Sequence, residues 1–371
     1  WDRYGLFEAS IELFSESRQS WSVGGLLTVK YLKNLKEADM GSRRYKGLLV
    51  RQVDENRFTT DVEELATDGL PAGDVLVKVL FSSLNYKDML SANGNRGVTK
   101  KYPHTPGIDA AGVVEESSVK DFQPGDEVIV TSYDLGMNTS GGLGQYIRVP
   151  SSWVVRKPAG LSLRESMIFG TAGFTAALSV LRLVEFGMDP DDEILVTGAS
   201  GGVGSIAVSI LSHAGYNVTA LNSLHDESGF LKKIGAKQVL DPSELIDTTG
   251  RPMLKERWAK CVDTLGGDVL TSAIRSVRSY GAVTCCGNVV SPDLKLTVFP
   301  FILRGVTLYG IDSQNCPMPR RQRAWDMIAG QWKFPWMEKL VSEIPLEGVG
   351  GVMDEIKAGK HRGRTVVNLW D

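Results

Sequence analysis

The chain has 371 residues, with 41 Lys+Arg against 44 Asp+Glu for a net charge of −3, and 42% of it is hydrophobic. At roughly 150 residues per domain this length predicts two domains, and the near-neutral balance excludes nucleic acid as a partner held by a one-signed field. The 40 glycines follow no G-X-Y period and form no Gly/Ser tract, which excludes collagen-like and disordered classes and leaves turns and close backbone approaches.

Residues 1–39 mix Asp2, Glu8, Glu12 and Glu16 with basic residues, unlike a secretory or mitochondrial leader. Met40 stands just before the first strand-like run, Lys46–Arg51. The fold is therefore expected to begin at residue 40, after an N-terminal extension of unknown role. From 40 to 161, short β-like runs alternate with turn residues: Asp74–Phe81, Ala111–Glu115, Asp126–Val130 and Tyr146–Val149, with Pro71-Ala-Gly-Asp74 and Gln123-Pro-Gly-Asp126 as turns. This rhythm predicts a small, mostly β domain. From 162 to 316 the pattern becomes apolar runs separated by helix-length amphipathic stretches. The runs are Glu193–Thr197, Asn217–Leu221, Lys260–Asp263, Gly281–Cys286 and Gly305–Tyr309. Alternating β and α elements predict an α/β fold with a doubly wound parallel sheet. Residues 317–371 add a basic helical stretch, Arg320–Trp325, and a closing β run, Thr365–Leu369, expected to return to the first domain.

The least polar long stretch, Met167 to Gly187, is interrupted by Arg182 and Glu185, so no bilayer-spanning segment is expected. The four cysteines (Cys261, Cys285, Cys286, Cys316) are too few for a disulfide scaffold and form no C-x-x-C pair. A soluble, reduced, cytoplasmic protein without membrane partners is the expectation.

Between the run ending at Thr197 and the next helix lies Gly198-Ala-Ser-Gly-Gly-Val-Gly204. Against the dinucleotide template G-x-G-x-x-G, positions 199, 201 and 204 read Ala, Gly, Gly. Gly201 permits approach of a pyrophosphate, Gly204 permits close packing of helix on strand, and the helix N-terminus supplies free N–H groups. About 20 residues on, where an acidic residue would bind the ribose 2′-OH of NAD, stands Asn222-Ser-Leu-His225. No carboxylate there repels a 2′-phosphate and no arginine clamps one, so the residues lean toward NADP.

Six motifs in order across residues 46–369 carry a family resemblance: Ser82-Ser-Leu-Asn-Tyr-Lys-Asp88, Pro106-Gly-Ile-Asp-Ala-Ala-Gly112, Gly170-Thr-Ala-Gly-Phe-Thr-Ala176, Thr197–Ser205, Pro300-Phe-Ile-Leu-Arg304 and Gly310-Ile-Asp-Ser313. The chain resembles the medium-chain dehydrogenase/reductases, and more narrowly the YhdH/YhfP-type quinone oxidoreductases that include NADPH-dependent acrylyl-CoA reductases. The resemblance implies a GroES-like catalytic domain, a Rossmann NADP-binding domain and a homodimer joined at the edge strand Gly305–Gly310. Where zinc alcohol dehydrogenases of this superfamily place a cysteine and a histidine, this chain has Asn85 and Ile108, and no metal is expected.

Without a Lewis acid or an alcohol-oxidation triad, the chemistry that remains is hydride delivery to an electrophilic alkene conjugated to a carbonyl. The resemblance assigns Tyr86 to substrate polarisation or proton donation, since a phenol is protonated at neutral pH; the alternative is that Tyr86 only packs or binds the cofactor. Asn85 and Asp88 accompany it as catalytic candidates. Cofactor contacts carried over are Tyr86, Thr171, Ser200, Gly201, Gly202, Val203, Gly204, Asn222, Ser223, Leu224, Thr264 and Asn288. Substrate candidates are Arg304, Asp312, Arg320 and Arg321, with Lys100, Lys101 and Arg323 as further basic residues for the phosphates of a CoA thioester. A solvated charged face is the alternative for the basic run. A quinone substrate, or a non-catalytic NADP-binding role, stays open at this point.

Overall fold

The computed structural model describes residues 42–371 except 224–226, so the expected extension over 1–39 and the expected contact at Leu224 lie outside the described residues. The residues from Arg44 onward form one compact unit. It opens with a hairpin of β1 (Arg44–Gln52) and β2 (Phe58–Ala66), paired antiparallel from Arg44↔Ala66 to Gln52↔Phe58. There follow β3 (Val75–Ser83), α1 (Tyr86–Ala92), β4 (Asp109–Ser117), β5 (Glu127–Thr131), β6 (Tyr146–Val149) and β7 (Val154–Arg156). The chain's end adds β14 (Val341–Pro345), α8 (Val349–Lys357) and β15 (Arg364–Asn368) to this region. The resulting seven-stranded sheet runs β14-β15-β3-β4-β5-β7, with β6 also on β3. β15 thus returns to the first sheet, pairing antiparallel with β3 through Val366↔Ser83.

The second sheet is built from β8 (Glu193–Thr197), β9 (Asn217–Leu221), β10 (Gln238–Leu240), β11 (Trp258–Asp263), β12 (Val277–Cys285) and β13 (Thr307–Gly310). Its order, β10-β9-β8-β11-β12-β13, with every pair parallel, is the doubly wound order in which the chain reverses direction beside the first strand. Sheets covered on both faces need strands apolar on both faces, which β8 and β11 satisfy as Glu-Ile-Leu-Val-Thr and Trp-Ala-Lys-Cys-Val-Asp. β10 has three residues and β2 is a half-exposed Thr/Glu-rich strand; neither carries a periodicity long enough to stand out in sequence. The intervening helices are α3 (Gly202–His213), α4 (Ser228–Lys233), α5 (Gly267–Arg275), α6 (Phe299–Arg304) and α7 (Met318–Ala329).

Between the sheets runs α2 (Leu163–Phe186), started by a reciprocal capping box of Ser162 and Glu165. By length and composition alone α2 is long and apolar enough to cross a membrane, so Arg182 and Glu185 do not rule that out by themselves. It is a core helix, because 83% of its apolar window is buried within the protein, where Phe169, Phe174 and Ile168 join Ile206, Ile210, Trp325 and Phe334 in the main core.

Candidate active site

Two constructions meet at the carboxyl ends of the second sheet's strands. The first is the glycine turn after β8. The Thr197 hydroxyl donates to Asp263 Oδ1 at 2.7 Å and accepts from Thr264 N–H at 3.0 Å, while Thr264 Oγ1 donates to the Thr197 carbonyl at 2.9 Å. The ends of β8 and β11 are thereby clamped, and the chain leaves β8 through Gly198 at φ +58°, where an L side chain is strained. A Cβ on Gly204 would collide with the Gly198 carbonyl and the Ala199 backbone, whereas one on Gly201 would meet only Gly198 O at 3.4 Å. Gly204 therefore exists for helix packing and Gly201 borders open space. Gly201 is the N-cap of α3 and offers no side-chain cap, so first-turn N–H groups are left for an outside anion. This cradle fits a dinucleotide pyrophosphate. Ser200 Oγ donates to Asn222 Oδ1 at 2.7 Å and ties the turn to the loop after β9.

The second construction is a buried polar cluster. α2 breaks at Gly170 (φ 51°, ψ −155°), and a Cβ there would run into the Asp109 carboxylate and Ser83 Oγ. The break restarts the helix at Thr171, whose N–H donates to both Asp109 oxygens at 2.9 Å and whose hydroxyl donates to Oδ1 at 2.6 Å. Asp109 acts as an N-cap supplied from β4. Its Oδ2 also accepts from Ser83 Oγ and Asn85 Nδ2, both at 2.7 Å. Arg364 completes the cluster from β15, 3.7 Å from Asp109 Oδ2, with Nη2 donating to Ser83 Oγ at 2.8 Å, Nη1 to the Leu84 carbonyl at 3.0 Å and Nε to the Ile168 carbonyl at 2.9 Å. Both charges are buried, a placement that is tolerable only with such complete hydrogen bonding. Arg364 is also where the two constructions touch: its Nη1 lies 3.1 Å from where a Gly202 Cβ would stand.

Asn85 is buried, and its carboxamide is spent on Asp109, the Ser83 carbonyl and Arg364. Asp88 is fully buried; it accepts from Asn85 N at 2.8 Å and from Gly107 and Ile108 N at 3.1 and 2.9 Å. Burial and then the neighbouring Asp109 push its carboxyl up to about 7, against the backbone donors that favour the anion. Both side chains are taken up by these internal hydrogen bonds. Tyr86, the first residue of α1, is 43% exposed and is the one member of the expected catalytic trio that a substrate can reach. Beside it Lys87 donates to Gln314 Oε1 at 2.6 Å; burial pulls its ammonium down, opposed by Asp312 and Asp88. Ser132 and Tyr133 take positive φ in succession, and Ser132 Oγ meets Thr171 Oγ1 at 2.9 Å, two strained residues next to the cluster.

The expected cofactor residues Ser200–Gly204, Asn222, Ser223 and Thr264 gather around the turn, Thr171 lies at the kink in α2, and Asn288 is exposed after β12. The substrate candidates fare differently. Arg304 is corrected: its guanidinium donates to the carbonyls of Arg275, Val277 and Leu254 and pairs with Glu256, at the amino end of β12 and so opposite the glycine turn. Arg321 is corrected as well, being fully buried between the rings of Tyr133 and Phe174, with its Nη groups on Thr131, Ser313 and Gln314. Arg320 and Arg323 both pair with Glu185, as a solvated face would. Asp312 is exposed. Asp109 and Ser83 stand inside the family motifs without a residue-level signal for this role, and Arg364 has no local signal beyond a charge before an apolar run.

A nucleotide-binding parallel sheet joined to a mixed β sheet, with a glycine turn at their meeting point, is the architecture of an alcohol-dehydrogenase-type oxidoreductase. The family description "Alcohol dehydrogenase GroES-like domain" matches residues 71–159, and "Zinc-binding dehydrogenase" matches residues 202–330. Acrylyl-CoA reductase AcuI of Ruegeria pomeroyi is 39% identical over 327 residues, 88% of this chain and 99% of that protein. The yhdH oxidoreductase of Salmonella enterica, solved in complex with NADP, superposes with a TM-score of 0.85 at 41% identity, covering 87% of this chain and 99% of that one. YhfP of Bacillus subtilis, whose name denotes a quinone oxidoreductase, was solved with NAD bound; it gives a TM-score of 0.86 at 40% identity over 88% of this chain and 100% of that one. The chain belongs to the medium-chain dehydrogenase/reductases, in the zinc-free branch of quinone oxidoreductases and acrylyl-CoA reductases.

Proposed function

We propose that this chain is a zinc-independent, NADPH-dependent reductase that adds hydride to the C=C bond of an α,β-unsaturated carbonyl, with a short enoyl-CoA thioester of the acrylyl type as substrate. The observation that carries this reading is the 39% identity to an acrylyl-CoA reductase over 99% of that protein. When bound, the reduced nicotinamide supplies the hydride. The first-turn N–H groups of Gly202, Val203 and Gly204 would bind the pyrophosphate, Ser200, Asn222 and Ser223 would hold the adenosine ribose, Thr264 and Asn288 would add further cofactor contacts, and Thr171 would line the nicotinamide side. Asp109 and Arg364 hold Asn85, and Asn85 with Asp88 fixes the start of α1. Tyr86 is thereby presented to the cleft, where its hydroxyl polarises the carbonyl or donates the proton to the α-carbon.

The name of YhfP favours a second reading, an NADPH:quinone oxidoreductase. Following NADPH consumption with acrylyl-CoA and, separately, with quinones decides between them. Turnover of acrylyl-CoA alone supports the first reading, turnover of quinones alone replaces it, and cofactor binding without either turnover makes the protein a non-catalytic NADP binder. We further propose a homodimer. β13 is the edge of its sheet, and Val298, Ile302, Leu303 and Tyr280 beside it are 60 to 80% exposed, an apolar edge that calls for a partner. A monomer by light scattering at micromolar concentration would refute it. Domains spanning 40–161 and 162–316, a C-terminal return over 317–371 and a cytoplasmic location complete the proposal.

A further inference from the structure

We infer that Arg362, reaching the cofactor site from the segment before β15, recognises the 2′-phosphate that distinguishes NADPH from NADH; this rests on the NADPH reading above. The ribose 2′ position of a dinucleotide falls at the end of the second strand of such a sheet, here β9, and the described residues at that place, Asn222 and Ser223, carry no charge. The cation comes from about 140 residues further along the chain. Gly363 N donates to the Ser200 carbonyl at 2.8 Å, and Ser200 Oγ in turn donates to Asn222 Oδ1, so the Arg362–Gly363 backbone is tied to the loop that holds the ribose. The Arg362 guanidinium lies over the Phe230 ring, 5.5 Å from its centre, within cation–π reach.

Its present partner is Glu227, beyond the same loop, whose two carboxylate oxygens both lie on Nη1, at 3.2 and 3.3 Å. Nη2 and Nε have no partner among the described residues, and the side chain is 58% exposed. Among the described residues, the Nη2–Nε edge of the fork is therefore left without a partner beside the loop that follows β9. A phosphate dianion matches that edge with two parallel charge-assisted bonds, a geometry a lysine does not reproduce. The 2′-OH of NADH has no charge to offer it. Arg362 is in this sense a specificity residue and takes no part in the hydride step.

The test is a pair of equilibrium titrations, NADPH and NADH, on the full chain and on Arg362→Gln and Arg362→Lys. Charge-assisted hydrogen bonds of this kind are worth roughly tenfold or more in affinity. Arg362→Gln is expected to weaken NADPH by about that factor while NADH changes by less than about twofold, and Arg362→Lys is expected to recover part of the loss. Equal weakening of both cofactors would overturn the inference, since it would show a purely structural role for the Arg362–Gly363 tie. A wild type that prefers NADPH and an Arg362→Gln variant that keeps the preference would overturn this inference alone. A wild type that binds the two cofactors equally would overturn the NADPH reading and this inference with it.

Discussion

The glycine turn and the Asp109–Arg364 cluster touch at Arg364, yet they are built on opposite terms. At the turn side chains are withheld: Gly201 caps α3 with nothing, and its Cβ position opens onto free space. In the cluster every polar group is spent, with Asp109 accepting from Ser83, Asn85 and Thr171 while Arg364 donates to the Leu84 and Ile168 carbonyls and to Ser83. The open element has hydrogen-bonding capacity left for a ligand. The saturated one has none, and so it positions α1 and the kink in α2 without reacting. The contrast explains why, of Asn85, Tyr86 and Asp88, only Tyr86 faces outward.

Removing Arg364 should break this arrangement most severely. Arg364→Met leaves Asp109 buried without its counter-charge, and denaturant unfolding is expected to show a loss of about 3–5 kcal/mol, with Asp109→Asn in the same background giving back part of it. Tyr86→Phe sharpens the contrast from the other side. If the outward residue carries the chemistry, kcat should fall by about 10²-fold or more, ~3 kcal/mol, while NADPH affinity and Tm stay unchanged. Gly170→Ala forces a side chain into the cluster at positive φ and should cost about 1–3 kcal/mol of stability. Gly204→Ala should leave the cluster intact but push α3 off the turn, weakening NADPH by about tenfold, ~1.4 kcal/mol, in a fluorescence titration.

The smallest effect concerns pH. Burial and then Arg364 hold His361 down at about 4, below its unfolded value of about 6.5. A group with a depressed folded pKa contributes stability above its unfolded pKa and loses it as the pH falls through the folded value. Wild type should therefore lose Tm relative to His361→Gln between about pH 6.5 and 4, and parallel Tm curves would show that His361 is not coupled to the fold. Asp88, raised to about 7, acts with the opposite sign across the whole of this window but is common to both proteins.

The parts of the fold and site that were legible in sequence were those made by neighbours in the chain. The turn Gly198–Gly204 announces itself because backbone clearance, the strand before it and the helix after it all lie within about twenty residues. The apolar runs of β8, β9, β11 and β12 were equally plain, since a strand buried on both faces needs no partner to be recognised. Basic residues misled. Arg304, Arg320 and Arg321 look alike in sequence, yet one closes the amino end of a sheet, one pairs with Glu185 on the surface and one is sealed between two rings. An arginine's partners are set by whatever the fold brings near its long side chain, and spacing does not encode that.

A parallel nucleotide-binding sheet, a smaller β region closed by the chain's end and a glycine turn fit for a pyrophosphate are all written in the order of the residues. Each of these follows from residue type at short range, where sterics and periodicity act. That Asp109 caps an interrupted helix and that Arg364, 255 positions later, neutralises it emerges once the chain is folded. Burying a charge is tolerable only where a counter-charge and a full set of hydrogen bonds converge, and that convergence is a property of the folded chain.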